Sequence, residues 1–259
     1  MANFTVENLE FLLAILVRIS AFLIVAPVFS LRDFPVRGKL LLSAAVAIVV
    51  YFVTPYEPLV YGGVIGYAVL IIKEAVVGLI LGLFANLAYY ILSLAGQLID
   101  MEVGLSNTQE LDPQSQVSVT ISSTILNYSV IMTLIVTNMH LFILKAVIDS
   151  FTAIPVGGLV LKETIFQQYL AYMGSYMILA FRIVLPEFAA MLVVNTILAI
   201  LAKAAPQLNM FVIGFQLKIF VGITVLVIML LLLPGISDMI FENMIENMRN
   251  AIYFMREGS

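Results

Sequence analysis

Lys73-Glu74-Ala75-Val76-Val77-Gly78-Leu79-Ile80-Leu81-Gly82-Leu83-Phe84-Ala85-Asn86 is an apolar run that opens on two opposite charges and carries two glycines four residues apart. It lies inside a longer apolar stretch, 64–99, that exceeds the roughly 20 residues a helix needs to cross a hydrocarbon core about 30 Å thick. Gly78 and Gly82 form the GxxxG spacing, which lets another backbone approach closely where lipid provides no drive for helix association. The Lys73-Glu74 pair does the opposite of what lipid favours. A charge at the middle of an isolated lipid-facing helix costs about 2.5–3.5 kcal/mol on insertion scales.

The rest of the chain repeats this conflict. Further apolar segments fall at about 9–31, 40–56, 119–148, 169–201 and 208–233, and most contain or adjoin an ionisable group: Arg18, Lys145 with Asp149, Arg182 with Glu187, Lys203 and Lys218. So many charges are incompatible with independent helices bathed in lipid. Some helices are therefore expected to face protein or a water-filled path, where pairing and hydration lower the cost.

Composition agrees. The chain has 259 residues, 63% of them hydrophobic and 11% charged, against about a quarter charged in soluble domains. Its net charge of −4, with no basic block, excludes nucleic acid as a natural partner. Cysteine is absent, which removes disulfides, thiolate metal sites and cysteine nucleophiles together. The single histidine, His140, has no second histidine to build a metal site, so a packed, hydrogen-bonded role is expected for it. The first ten residues hold Glu7 and Glu10 and no basic residue, so the N-terminal segment is expected to be retained.

Polar residues cluster at one long interruption, Gln97 to Ser118, with Asp100, Glu102, Glu110 and Asp112 and no Lys or Arg. Four uncompensated carboxylates do not belong in lipid, so the stretch is expected to be wet. Asp112-Pro113 has the form of an N-cap followed by proline at the first helical position, and the next helix is expected to start there. An ordinary extramembrane loop fits this composition, and a mobile acidic segment beside an aqueous path is the functional alternative. Arg32 to Lys39 carries three positive charges and one negative, which predicts a cytoplasmic connection. Beyond Pro234-Gly235 the tail is amphipathic, with Ile240, Met244, Met248, Ile252 and Met255 opposing Glu242, Glu246, Asn247, Arg249 and Asn250. Its polar face is acidic, so packing against protein is expected rather than binding to an anionic lipid surface.

The stretch Leu179-Ala180-Phe181-Arg182-Ile183-Val184-Leu185-Pro186, then Asn195, then Ala205-Pro206-Gln207-Leu208-Asn209-Met210-Phe211-Val212-Ile213-Gly214-Phe215-Gln216-Leu217-Lys218 closely resembles the FliR family of flagellar export-gate subunits. Related injectisome subunits share the pattern. Upstream, Lys73-Glu74 with Gly78 and Gly82, the Gly104 to Asp112-Pro113 stretch, and Ser150-Phe151 with Ile154-Pro155 and Gly157 match it in the same order. Two positions depart: Lys203 stands where the family often has Arg, and Gln216 where it often has Pro.

The resemblance implies an all-α fold of membrane-associated helical hairpins, with a FliP-like part to about residue 168 and a FliQ-like hairpin over about 169–259. It implies a single copy assembled with FliP and FliQ into a closed channel, with FlhB at the cytoplasmic entrance, in the inner membrane at the flagellar basal body. The loop at 103–118 is then similar to a plug, with Gly104, Leu105, Ser106, Asn107, Thr108, Asp112 and Pro113 as its parts. Subunit packing is assigned to Glu74, Gly78, Gly82, Arg182, Pro186, Lys203, Pro206, Gln207, Asn209 and Lys218. No catalytic residue, cofactor or metal is implied, and unfolded flagellar proteins are the cargo. A secondary transporter or small-solute channel is the alternative, and would require internal repeats around a midplane site. An intramembrane enzyme would require a nucleophile with its base or a metal motif, and neither pattern occurs.

Overall fold

The computed structural model describes residues 6–30, 35–55, 58–105, 110–111, 118–207 and 209–256. Their order is α1 (Val6–Val25), α2 (Val36–Val53), α3 (Gly63–Val103), β1 (Glu110–Leu111), β2 (Ser118–Val119), α4 (Ile121–Val136), α5 (Met139–Ala153), α6 (Thr164–Ala204), α7 (Met210–Leu231) and α8 (Leu233–Met255). Among the described residues the fold is helical apart from one antiparallel two-residue ladder, Glu110 with Val119 and Leu111 with Ser118. Five of these helices are long and apolar enough to cross a membrane, six if α4 and α5 count as one broken span. This is a membrane protein. At 41 residues each, α3 and α6 extend roughly 60 Å, about twice the hydrocarbon thickness, so neither fits wholly within it.

One apolar segment, 119–148, reads as a single long helix and is broken in the structure. Helix α4 ends at Val136 and α5 begins at Met139. Thr133 and Thr137 turn their hydroxyls back on the carbonyls of Ser129 and Thr133, at 2.9 and 2.7 Å, which weakens the helical ladder there. Asn138 follows in the left-handed region at φ 58°, one of the few residue types that adopts it readily. The expected helix start at Asp112-Pro113 lies outside the described residues. The described helix α4 begins at Ile121 with Thr120 as its N-cap, accepting from the Ser123 amide at 3.4 Å.

The chain divides into two compact units, each drawing on separated segments: residues 1–88, 138–172 and 241–259 form one, and 89–137 and 173–240 the other. In the first unit α1 packs against α2 and α3. Gly78 and Gly82 face α1, and a methyl group at Gly78 would lie 2.1 Å from the Arg18 carbonyl oxygen and 3.0 Å from the Ala21 Cβ. The tail helix α8 buries Met244, Met248, Ala251 and Met255, and its Asn250 amide donates to the Tyr172 hydroxyl at 2.5 Å. The amphipathic tail thus packs on protein, with one exception to its pattern: Asn247 is buried rather than exposed.

In the second unit, α6 turns Tyr176, Ala180, Val184, Met191 and Val194 inward. Those spacings of three, four and seven follow one helical face. Pro186 lies within this helix and removes the amide that would bond the Arg182 carbonyl.

Candidate functional site

Arg18 and Glu74 are both fully buried in the first unit, and the Arg18 Nε donates to the Glu74 Oε2 at 2.6 Å. Both terminal guanidinium nitrogens also donate. Nη1 donates to the Ser150 hydroxyl at 3.3 Å, and Nη1 and Nη2 both donate to the Ile154 carbonyl at 3.0 Å. The guanidinium carbon lies 4.1 Å from the centre of the Phe151 ring. The other carboxylate oxygen of Glu74 accepts from the Gly157 amide at 2.8 Å, and the neighbouring Lys73 ammonium donates to the Gly157 carbonyl at 3.4 Å.

A buried pair repays its desolvation only when its spare donors and acceptors find partners, and here every guanidinium nitrogen and both carboxylate oxygens make at least one hydrogen bond. Gly157 sits at φ 82°, where a side chain would be strained. Gly78, one turn beyond Glu74, permits the close crossing of α1 over α3 that brings Arg18 within reach. Sequence motifs that looked separate, Lys73-Glu74-…-Gly78 and Ser150-Phe151-…-Gly157, are therefore one clasp joining α1, α3 and the turn after α5. Glu74, Gly78 and Gly82, expected to serve subunit packing, make these contacts inside the chain.

The second unit fixes both ends of the polar interruption. Asp100 is almost fully buried and accepts from the Ser122 amide at 3.1 Å and from the Ser122 hydroxyl. The expectation that all four carboxylates of this stretch are wet is corrected for Asp100, because the Ser122 amide and hydroxyl at the start of α4 replace water as its partners. Beside it, Gly96 lies in backbone contact with α4: a methyl there would fall 2.2 Å from the Ser123 Cα and amide nitrogen. One turn earlier, the Asn127 amide donates to the Ser93 hydroxyl at 3.0 Å.

Just past this anchor α3 ends at Gly104, whose amide bonds the Asp100 carbonyl at 3.0 Å and whose φ is 91°. Gly104 borders a cavity of about 480 Å³ lined also by Val103, Leu198, Phe211, Phe215 and Lys218. The Phe215 ring lies 3.7 Å from the position a Gly104 side chain would take. Sequence reasoning missed this partnership of Asp100 with Ser122, and of Gly104 with Phe215, since nothing local in either segment points to the other.

The other expected site residues fall as follows. Leu105 is half-buried, while Ser106, Asn107, Thr108, Asp112 and Pro113 lie outside the described residues. Arg182, Pro186 and Lys203 are exposed on α6, and Pro206 and Gln207 form the exposed turn before α7. Asn209 caps α7 by accepting from the Val212 amide at 3.4 Å, a local role its position before an apolar run could have revealed. Lys218 is brought beside Gly104 by the cavity they share.

Residues 9–244 match the model of the family described as bacterial export proteins, family 1. The flagellar biosynthetic protein FliR of Buchnera aphidicola subsp. Acyrthosiphon pisum is 29% identical over 239 residues, covering 92% of each chain. That of Escherichia coli is 28% identical over 92% of this chain and 90% of its own. That of Bacillus subtilis is 28% identical over 96% and 97%. With its long charged apolar helices, its clasped motifs and a match that runs nearly end to end, the chain belongs to the FliR family of bacterial export proteins.

Proposed function

We propose that this chain is a non-enzymatic subunit of the flagellar protein export gate, assembled with FliP and FliQ into a closed channel in the inner membrane at the basal body. FlhB sits at its cytoplasmic entrance, and unfolded flagellar proteins are its cargo. The segment 103–118 is the plug of the resting channel.

The observation that carries this reading is the anchored interruption in the second unit. Asp100 and Ser122 tie the end of α3 to the start of α4, so the intervening residues leave and return at one place. Gly104 supplies the turn at which they leave, against Phe215. A tether of this kind suits a segment that must swing aside without pulling apart the helices that hold it. The exposed apolar faces of α2 and α7, such as Phe52 at 79% and Phe211 at 85% exposure, add surface for lipid and for neighbouring subunits to cover.

The test is co-expression with FliP and FliQ followed by purification in mild detergent. The chain is expected in a large hetero-oligomer, and a stable monomer that transports a small solute would overturn the reading. Deleting residues 104–111 from the assembled gate is expected to make membrane vesicles leak ions. Unchanged permeability in a verified complex would overturn the plug assignment alone.

A further inference from the structure

The cavity of about 480 Å³ in the second unit opens where the closing turns of α3 and α6 meet the first turns of α7. Phe211, Phe215 and Lys218 follow one another at spacings of four and three on the α7 face that borders it. Two glycines leave the room. A side chain at Gly214 would lie 3.2 Å from the Leu198 Cδ1, and one at Gly104 would lie 3.7 Å from the Phe215 ring. The side-chain walls are apolar except for one ammonium. Lys218 stands eight residues past the start of α7, roughly 12 Å along a helix apolar enough to cross a membrane. Lysine stems on a helix run back toward its N-terminus, which carries the charge toward the end of the span. No carboxylate among the described residues lies within ion-pair distance of Lys218, Glu102 beside the cavity-lining Val103 included. The site is open to its surroundings: Phe211 is 85% and Phe215 41% exposed, and Leu198 and Lys218 are half-buried. Exposed Leu201, one turn past Leu198 on α6, continues the apolar wall.

We propose that this cavity binds an anionic phospholipid, with its phosphate on Lys218 and an acyl chain along Leu198, Phe211 and Phe215. A fitting occupant brings one negative charge at one end and an apolar body behind it. An inorganic anion would meet the ammonium and leave the aromatic rings uncovered. An acidic side chain would have to be delivered by a second protein, whereas lipid already surrounds the helices that form the cavity. Basic pockets between membrane helices characteristically hold anionic headgroups, and a lysine within a span is least costly where its charge is met at the interface. The site requires only the membrane and none of the other gate subunits.

The experiment is native mass spectrometry of the purified full-length chain from detergent micelles holding equal amounts of phosphatidylglycerol and phosphatidylcholine. Wild type is expected to retain phosphatidylglycerol in preference. Lys218→Gln is expected to lower that retention about fivefold, and Lys218→Arg to restore it. Lys203→Gln, on the exposed end of α6, should leave it unchanged. Equal retention of the two lipids by wild type overturns the proposal. So does a loss with Lys203→Gln as large as that with Lys218→Gln, which would mean attraction by surface charge alone. If Lys218→Gln does not accumulate, Leu198→Phe decides, because it keeps the charge and fills the apolar part. It is expected to lower retention about fourfold, and unchanged retention overturns the proposal. Added inorganic phosphate should not displace the lipid, and displacement would overturn the part given to the acyl chain. Retention blind to Lys218, with Lys218→Gln instead lost from a complex with FliP and FliQ, would give the cavity to a neighbouring protein and overturn the lipid assignment.

Discussion

The Arg18 guanidinium and the Glu74 carboxylate, 56 positions apart in sequence and both excluded from solvent, meet at 2.6 Å. Removing one partner strands the other. Glu74→Gln is expected to destabilise the protein by about 3–5 kcal/mol, whereas the double change Arg18→Met with Glu74→Leu should recover much of that loss. Thermal unfolding in detergent, followed by circular dichroism, measures both. An unfolding temperature unchanged by Glu74→Gln would show that the pair carries no stability.

Glycines in this fold differ in what surrounds them, so the same substitution should have opposite signs. Gly78→Ala places a methyl 2.1 Å from the Arg18 carbonyl oxygen, and Gly96→Ala places one 2.2 Å from the Ser123 backbone. Each should cost about 1–3 kcal/mol by overpacking. Gly174 lies in α6 with open space around it, so Gly174→Ala should be neutral or stabilise by up to about 1 kcal/mol through helix propensity. The three unfolding temperatures, measured side by side, check the ordering.

Asp100 and Ser122 should behave as one unit. Asp100→Ala leaves the Ser122 amide at the start of α4 without its acceptor and is expected to cost about 1–3 kcal/mol. Once Asp100 is gone, Ser122→Ala should cost little more. A double-mutant cycle on unfolding reads the coupling, and strictly additive losses would contradict the contact.

Gly104 holds φ at 91°, a conformation that a side chain resists. Gly104→Val should cost about 1–2 kcal/mol locally. Its larger effect is expected on export: flagellar protein secretion and swimming should fall while the amount of assembled gate is retained. Normal motility with Gly104→Val would show that the turn at the end of α3 does not matter to export.

Much of the fold was legible because its signals are local. The apolar runs around Ile15, Val77, Leu126, Val194 and Leu226 each declare a helix through length and hydropathy alone. The tail declares its buried face through Met244, Met248 and Met255 at spacings of four and seven. The glycine pair Gly78 and Gly82 announced a close crossing without saying which helix would cross. Failures occurred where a local rule met a competitor. The expectation that all four carboxylates of the polar interruption are wet failed at Asp100, which accepts from the Ser122 amide where α4 starts. The run 119–148 looks continuous, yet two threonine hydroxyls and a left-handed Asn138 break it.

By itself, then, the sequence determined that this is a helical membrane protein whose charges are too many for lipid, and its motif order determined the family. Only the tertiary structure decided how individual charges are met: Arg18 by Glu74, Asp100 by Ser122, Glu187 by nothing in the described chain. The reason is physical. Helical periodicity and hydropathy depend on neighbours within a turn or two, whereas an ion pair depends on where two helices cross. That crossing is set by the absent side chains of Gly78 and Gly96, which allow backbones distant in sequence to touch.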